Sequence, residues 1–384
     1  MALKVSRRGH VPPFLVMEVM QAAADRIAAG GEVLHLEVGQ PGTPAPLGVR
    51  EAAKQAINHE RLGYTVALGI DPLREAIARH YADVYGVPVP AERIVVTTGS
   101  SAGFLLSFLA CFEPGDRVAL AEPGYPCYRN ILQALGLEPV ALPVDHNSRY
   151  QPTVAMLQAL AAPVDGLIVA SPSNPTGAMV SREDMTALAA HCRQEGIHLI
   201  SDEIYHGIGY GMATTTAAVI EPDAVVINSF SKYFSMTGWR IGWMVVPEDL
   251  LKPIERLAQN MFISPPTLSQ HAAVAAFECR EELEDNVAVY AANRALLLEE
   301  LPRAGLTRLS QVDGAFYIYA DISYLTDDSV TFCRALLDDT GVAVTPGVDF
   351  DPVRGHRSLR ISFSGPNEDM AEAARRLAVW LKRR

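Results

Sequence analysis

Between about residues 90 and 246, short apolar runs rich in β-branched residues alternate with amphipathic helical patterns. Runs at 93–98, 117–121, 139–142, 166–170, 198–201, 224–228 and 241–246 have strand length. Patterns at 101–112, 125–135, 154–161 and 183–195 have helical spacing. Parallel strands need crossover connections and bury both faces, so this succession predicts an α/β fold: a mainly parallel seven-stranded sheet covered by helices. In such sheets ligands bind beyond the carboxyl ends of the strands. The residues that follow each run are therefore the ones to read for function.

The 384 residues exceed what one compact core usually holds, which predicts a second, smaller domain. After Ser264-Pro265-Pro266 the pattern is helical through Leu301. A smaller α+β pattern follows, with strands at 315–320 and 359–363, and a helix pattern at 14–29 precedes the sheet. The expected division is 46–283 for the large domain, and 1–45 with 284–384 for the small one. A net charge of −12 disfavours a nucleic-acid surface, which needs a clustered excess of Lys and Arg. The basic tail belongs to a last helix whose apolar positions Met370, Ala374, Leu377 and Leu381 share one face, a solvated surface helix. No apolar run is long enough to span a bilayer, and residues 1–4 lack a signal-peptide core. Five scattered cysteines without a C-x-x-C pattern predict reduced thiols and a cytoplasmic setting. The ten histidines show no metal-ligand spacing. Gly207-Ile208-Gly209-Tyr210-Gly211 is glycine-rich, but no helix pattern follows it, so it is read as a turn.

The run 94–98 breaks into Gly99-Ser100-Ser101-Ala102-Gly103 before a helical pattern. Gly-x-Ser-x-Gly between strand and helix is the spacing of a hydrolase nucleophile elbow. The same strand, small-residue turn and helix also make an anion cup of backbone N–H groups. Further along the rim, Glu122-Pro123-Gly124-Tyr125 follows the next strand. Ser173-Asn174-Pro175-Thr176-Gly177, Asp202-Glu203-Ile204-Tyr205 and Ser229-Phe230-Ser231-Lys232, with Arg240 soon after, follow others. Taken singly, these are turns, helix caps and an aromatic edge. Their shared position at one rim gives them weight.

Lys232 is the sharpest feature. The other four lysines (Lys4, Lys54, Lys252, Lys382) sit near the ends of the chain or on predicted helix faces. Lys232 alone follows an apolar strand, among serines and aromatic residues. Desolvation and a neighbouring cation such as Arg240 would depress its pKa, the condition for an amine nucleophile. A phosphate cup, an arginine fork, a stacking tyrosine, a carboxylate and a desolvated lysine together meet the needs of pyridoxal phosphate.

With these residues in order, the chain resembles the class I/II aminotransferases, fold-type I enzymes dependent on pyridoxal 5'-phosphate. Ser229-Phe230-Ser231-Lys232-x-x-Ser235-x-x-Gly238-x-Arg240-x-Gly242 matches their lysine motif. Ser173-Asn174-Pro175-Thr176-Gly177, Asp202-Glu203-Ile204-Tyr205, Gly63-Tyr64-Thr65 and Leu359-Arg360-Ile361-Ser362 match others in the family's order. The resemblance implies that Lys232 carries the cofactor and shuttles the proton, and that Asp202 pairs with the pyridinium nitrogen. Asn174 and Tyr205 would bond the phenolic oxygen and Tyr125 would stack on the ring. Ser100, Ser101, Ala102, Ser229, Ser231 and Arg240 would hold the phosphate. Tyr64 would reach it from the partner subunit of a homodimer. Arg360, with the backbone near Gly39, would clamp the substrate carboxylate. The implied reaction is a two-half, ping-pong transamination between an amino acid and a 2-oxo acid.

On this reading Ser101 holds an anion rather than attacking. Serine hydrolysis, with Asp202 and His206 or His271 as partners for Ser101, would leave Lys232, Arg240, Asn174 and Tyr125 idle. Two rivals share the fold: a β-lyase, which needs a leaving group on Cβ, and a ligand-sensing version without activity. Aspartate-using relatives supply a second cation, from a lysine in the cup or an arginine of the partner subunit. Here the cup position is Ser101 and residues 260–270 contain no arginine, which favours a neutral donor. The family's Gly-Glu-Pro is Gly39-Gln40-Pro41 in this chain.

Overall fold

The computed structural model describes residues 3–383. An N-terminal arm enters α1 (Leu15–Ala28) and a two-residue strand, β1 (Leu34–His35). Helices α2 (Leu47–His59) and α3 (Asp71–Tyr85) then lead to the large sheet. Its strands are β2 (Ile94–Thr97), β3 (Arg117–Glu122), β4 (Glu138–Pro143), β5 (Gly166–Ala170), β6 (His198–Asp202), β7 (Val225–Ser229) and β8 (Gly242–Val245). Between them run α4 (Gly99–Cys111), α5 (Pro126–Leu135), α6 (Val154–Gln158), α7 (Arg182–Glu195) and α8 (Ala217–Ile220). The expected helix at 154–161 stops at Gln158; Pro163 and the Asp165 N–H bonded to the Arg117 carbonyl draw the chain out toward β5.

The strand order is β2-β8-β7-β6-β5-β3-β4. Pairings from β7 through β4 are parallel, and β8 runs antiparallel to both neighbours. The reason lies in the connections. Helices cross over between the parallel strands, whereas the 230–241 link carries only a 3-10 turn (Thr237–Trp239) and returns directly. That link holds Lys232 and Arg240 at the sheet's rim.

Alternate strand residues feed two cores, as a period of two requires. Leu167, Val169, Leu199, Val226 and Trp243 pack in one core with Leu73 and Ile77 of α3 and Met185 of α7. Ile168, Ile200, Val225, Ile227 and Met244 pack in the other with Phe104 and Phe108 of α4. Each such side chain contributes about 1.5–3 kcal/mol on full burial. The mainly parallel sheet, buried on both faces, is the architecture that the alternation predicts.

Helices α9 (Glu248–Met261), α10 (Thr267–Val274) and α11 (Arg280–Ala304) lead to a second unit. It contains β9 (Arg308–Leu309), β10 (Tyr317–Asp321), α12 (Ser329–Thr340), β11 (Val342–Ala343), β12 (Thr345–Pro346), β13 (Ser358–Ser362) and α13 (Asn367–Leu381). The order β12-β13-β10-β9 makes an antiparallel sheet, and β1 pairs in parallel with β11. α11 passes from one core to the other: Leu283 packs with the large sheet, Tyr290 and Leu297 with the small unit. On α13 the buried face is Met370, Ala373, Ala374, Leu377 and Trp380, with Leu381 only partly covered, so Trp380 closes the stripe in its place. As expected, no helix forms at 207–211: Gly207 ends a turn, Gly209 bridges Gly314 and Gly211 lies in a bend; at Gly207 φ is +94°, and a Cβ would lie 2.4 Å from the Tyr233 ring.

Asn293, buried on α11, donates to the carbonyls of Phe363 (2.9 Å) and Gly365 (2.8 Å) and fastens α11 to the chain beyond β13. Asn293→Ala strips both carbonyls of their donor, an expected cost of about 1–3 kcal/mol. The urea midpoint should fall with its slope unchanged; an unaltered midpoint would show that the bond is replaced by water.

Candidate active site

The carboxyl ends of β5, β6 and β7, the first turn of α4 and the 230–241 link open on one cavity of about 230 Å³. Lys232 stands in it, half-buried, because the link turns inward directly after β7. Its ammonium donates to the Gly39 carbonyl and lies 5.8 Å from the centroid of the Tyr205 ring. Burial drives its pKa down to about 8; the guanidinium groups of Arg360 and Arg240 add to the effect and Asp202 opposes it.

Asp202 ends β6 and is buried. Burial pushes its carboxyl up to about 6, against the pull of Tyr128, the Ile204 N–H and Lys232. The Tyr128 hydroxyl donates to Oδ2, and the Ile204 N–H donates to Oδ1 at 3.1 Å. Tyr128 was not singled out by the sequence reading, yet a signal existed. It lies three residues after Tyr125 in a helical pattern, the spacing that puts two side chains on one face. The two rings meet edge to face, 5.3 Å apart.

Arg360 comes from β13 of the small unit and is 2% exposed. Its Nη1 donates to Asn174 Oδ1 (3.0 Å), and Nη2 donates to Thr345 Oγ1 (3.2 Å) and to the Glu37 carbonyl. The guanidinium lies 4.5 Å from the Tyr317 ring centroid and 4.8 Å from that of Phe350. Its Nε–H is buried without an acceptor from the protein. A donor left in that state costs about 1–3 kcal/mol and suits an incoming anion. The Tyr205 hydroxyl bonds the Tyr317 hydroxyl at 2.7 Å. Tyr317 also explains Gly39, where a Cβ would stand 2.1 Å from the Tyr317 oxygen. No local pattern marked Tyr317; it is one of several aromatic residues on a buried strand.

At the start of α4, Gly99 has φ +72°, and a Cβ there would lie 2.4 Å from an Arg240 Nη atom. The missing side chain lets the guanidinium approach the helix N-terminus. Ser100, Ser101, Ser231 and Arg240 all line the cavity, as do Tyr125 and Asn174. Ala102 and Ser229 do not. Ala102 is buried in the first turn of α4. The Ser229 Oγ accepts from the Ser231 N–H (3.1 Å) and lies within hydrogen-bond distance of Ser231 Oγ (2.9 Å) and the Ile241 carbonyl (3.1 Å), so within this chain it positions Ser231. Tyr64 is 84% exposed and lies away from this cavity. His206 and His271 line a different cavity, and His206 is bonded to Tyr85 (2.8 Å), so Ser101 has no histidine beside it.

Known proteins are similar to this chain over nearly its whole length. Residues 31–377 match the model of the family Aminotransferase class I and II. Over 382 residues the chain is 52% identical to the valine–pyruvate aminotransferase of Mycobacterium tuberculosis, with 98% of each chain covered. The crystal structure of an aminotransferase from Mycobacterium tuberculosis superposes with a TM-score of 0.98 at 51% identity, covering 100% of both chains. Aspartate aminotransferase from Thermus thermophilus with maleate gives 0.93 at 30% identity, covering 98% of this chain and 100% of that one. The chain belongs to the class I and II aminotransferase family. It is a transaminase, an enzyme that passes an amino group between an amino acid and a 2-oxo acid.

A lysine with a pKa near 8 is neutral above that pH and protonated below it. In the cofactor-free chain, acylation of Lys232 by trace acetic anhydride, followed peptide by peptide, should therefore rise through a midpoint near pH 8. A midpoint close to the ordinary lysine value of about 10.4 would show the amine to be solvated.

Proposed function

We propose that the chain binds pyridoxal 5'-phosphate on Lys232, works as a homodimer, and takes its amino group from a neutral amino acid with a 2-oxo acid such as pyruvate as acceptor. The observation that carries this reading is the charge set of the cavity. Lys232, Arg240 and Arg360 are its cations and Asp202 its carboxylate. Arg240 beside the α4 N-terminus suits a phosphate. Asp202, buried and lifted to about 6, suits a protonated ring nitrogen. Arg360, with its unpaired Nε–H, suits a carboxylate. The residues present thus fit the cofactor, as the family generally requires it.

When bound, the cofactor supplies an aldehyde that takes up the amino group and a protonated ring that draws electrons from Cα. The chain's own groups do the rest. Arg360 and Asn174 orient the amino acid by its carboxylate. Lys232, with its pKa near 8, would take the proton from Cα and deliver it to C4′, across the transferred nitrogen. Asp202, steadied by Tyr128, would keep the ring nitrogen protonated. Asn174 and Tyr205 would donate toward the phenolic oxygen, and Tyr125 would cover the ring. Ser100, Ser101, Ser231 and the backbone at Ala102 hold the phosphate with Arg240, while Ser229 orients Ser231.

The neutral donor rests on the same count of cations: all three have an assigned anion or role, leaving none for a side-chain carboxylate. Phe14, Val16, Met17 and Met20 add an apolar wall. The relative at 52% identity is named for valine and pyruvate. Exposed Tyr64, Val66, Met261 and Ile263 supply apolar surface for a second copy, from which Tyr64 would enter the partner's site. The domain division 46–283 against 1–45 with 284–384 belongs to this reading and is supported by the passage of α11 between two cores. Among the described residues no helix is long and apolar enough to cross a membrane. The five unbridged cysteines support a cytoplasmic setting.

The near-visible spectrum of the enzyme with pyridoxal phosphate tests the reading. Valine, leucine or alanine should bleach the yellow band, and aspartate should do so far more slowly; Lys232→Ala should show neither band nor turnover. Preference for aspartate would remove the neutral donor, and turnover by Lys232→Ala would remove the whole assignment. Arg360→Lys loses the planar fork and should raise the donor KM about 10–100-fold in steady-state assays, the cost of a charged hydrogen-bond pair. An unchanged KM would move the carboxylate elsewhere.

A further inference from the structure

The first turn of α1 forms one wall of the active-site cavity. Its cap residue, Phe14, has no side-chain acceptor for the open N–H groups that begin every helix. Those groups are met from the far end of the chain. The Leu15 N–H donates to Asp349 Oδ1 at 3.0 Å, and the Val16 N–H donates to Oδ2 at 3.3 Å. Asp349 is 3% exposed and ends the short turn Gly347–Asp349 between β12 and β13. The far half of α1 is held differently, by Ala23 packed against Leu337 and Ala343.

The same turn touches the two other sides of the site. Phe350 lays its ring 4.8 Å from the Arg360 guanidinium. Its carbonyl accepts from the Gly124 N–H at 3.0 Å, next to Tyr125. The Phe14 ring in turn meets Tyr125 edge to face at 6.0 Å. One loop therefore spaces the apolar wall from the carboxylate-binding arginine.

We propose that Asp349 is a positioning residue for side-chain selection: by accepting both leading N–H groups of α1, it fixes the apolar wall relative to Arg360. It touches neither substrate nor cofactor. A hydrocarbon wall distinguishes one methylene by about 10–200-fold, and only while the wall stays in place. A carboxylate on a helix N-terminus is the charge-assisted contact that holds it there. The inference rests on the neutral-donor reading above.

Two variants test it. Asp349→Asn keeps the size but turns an amide N–H toward a helix N–H. Leu15→Pro deletes one of the two donors at the first helical position, where proline suits the geometry and Phe14 is already extended. In the cofactor-free chain, hydrogen exchange of the peptide covering 14–20 should quicken about tenfold in Asp349→Asn and less in Leu15→Pro. The kcat/KM ratio of valine to alanine should fall about tenfold in the first variant and about threefold in the second. Unchanged exchange in Asp349→Asn overturns the proposal, and so does an equal loss on both amino acids. If the wild-type enzyme uses neither valine nor alanine, the donor reading has failed. The ratio is then read on its best larger and smaller donors, and the exchange result stands independently.

Discussion

Three cations and one carboxylate share a cavity of about 230 Å³, and much of the structure follows from that imbalance. Like charges in a poorly solvated space raise one another's energy, and the group best able to yield is the amine. Lys232 yields: burial first, and then the two guanidinium groups, bring its pKa down to about 8. An excess of positive field is a standing demand for anions. A phosphate at the helix end and a substrate carboxylate at Arg360 would meet it.

Holding those charges apart falls to uncharged groups. Two aromatic rings flank the Arg360 guanidinium, Tyr128 anchors Asp202, and Tyr205 and Tyr317 close a hydrogen bond between the two units. Glycine appears where this packing leaves no room: at Gly39 beneath the Tyr317 hydroxyl and at Gly99 beside Arg240. The site thus lies on the seam between the large sheet and the small unit. Arg360 and Asn174, 186 positions apart in sequence, are in hydrogen-bond contact across it.

Position in the chain also separates residues that act alike from residues that merely look alike. Asp202 and Glu203 are adjacent carboxylates. Asp202 turns toward Lys232, whereas Glu203, buried and lifted to about 8, turns to Ser201, the Ala217 N–H and His206. Alternation along the end of a strand decides this, since successive side chains leave on opposite faces. Ser229 and Ser231 differ for another reason: Ser229 ends β7 with its hydroxyl against Ser231 and the Ile241 carbonyl, while Ser231, in the link beyond the strand, lines the cavity.

The sequence by itself determined the sheet, its order of strands and helices along the chain, and the rim on which Lys232, Asp202, Asn174, Tyr125 and Arg240 sit. Those features rest on period and on turn residues, which are local. The pattern does not say which strand runs antiparallel; the structure shows β8 returning directly, because the 230–241 link holds no crossover helix. Tertiary structure alone decided which side chains meet across distance: Tyr128 on Asp202, Tyr317 on Tyr205, and Asp349 on the start of α1. It also left Tyr64 on the surface, away from the cavity of its own chain. Such contacts join segments up to 334 positions apart. The spacing from Tyr125 put Tyr128 on the right helix face, but no local pattern named its partner, because such contacts are set by how distant segments pack together.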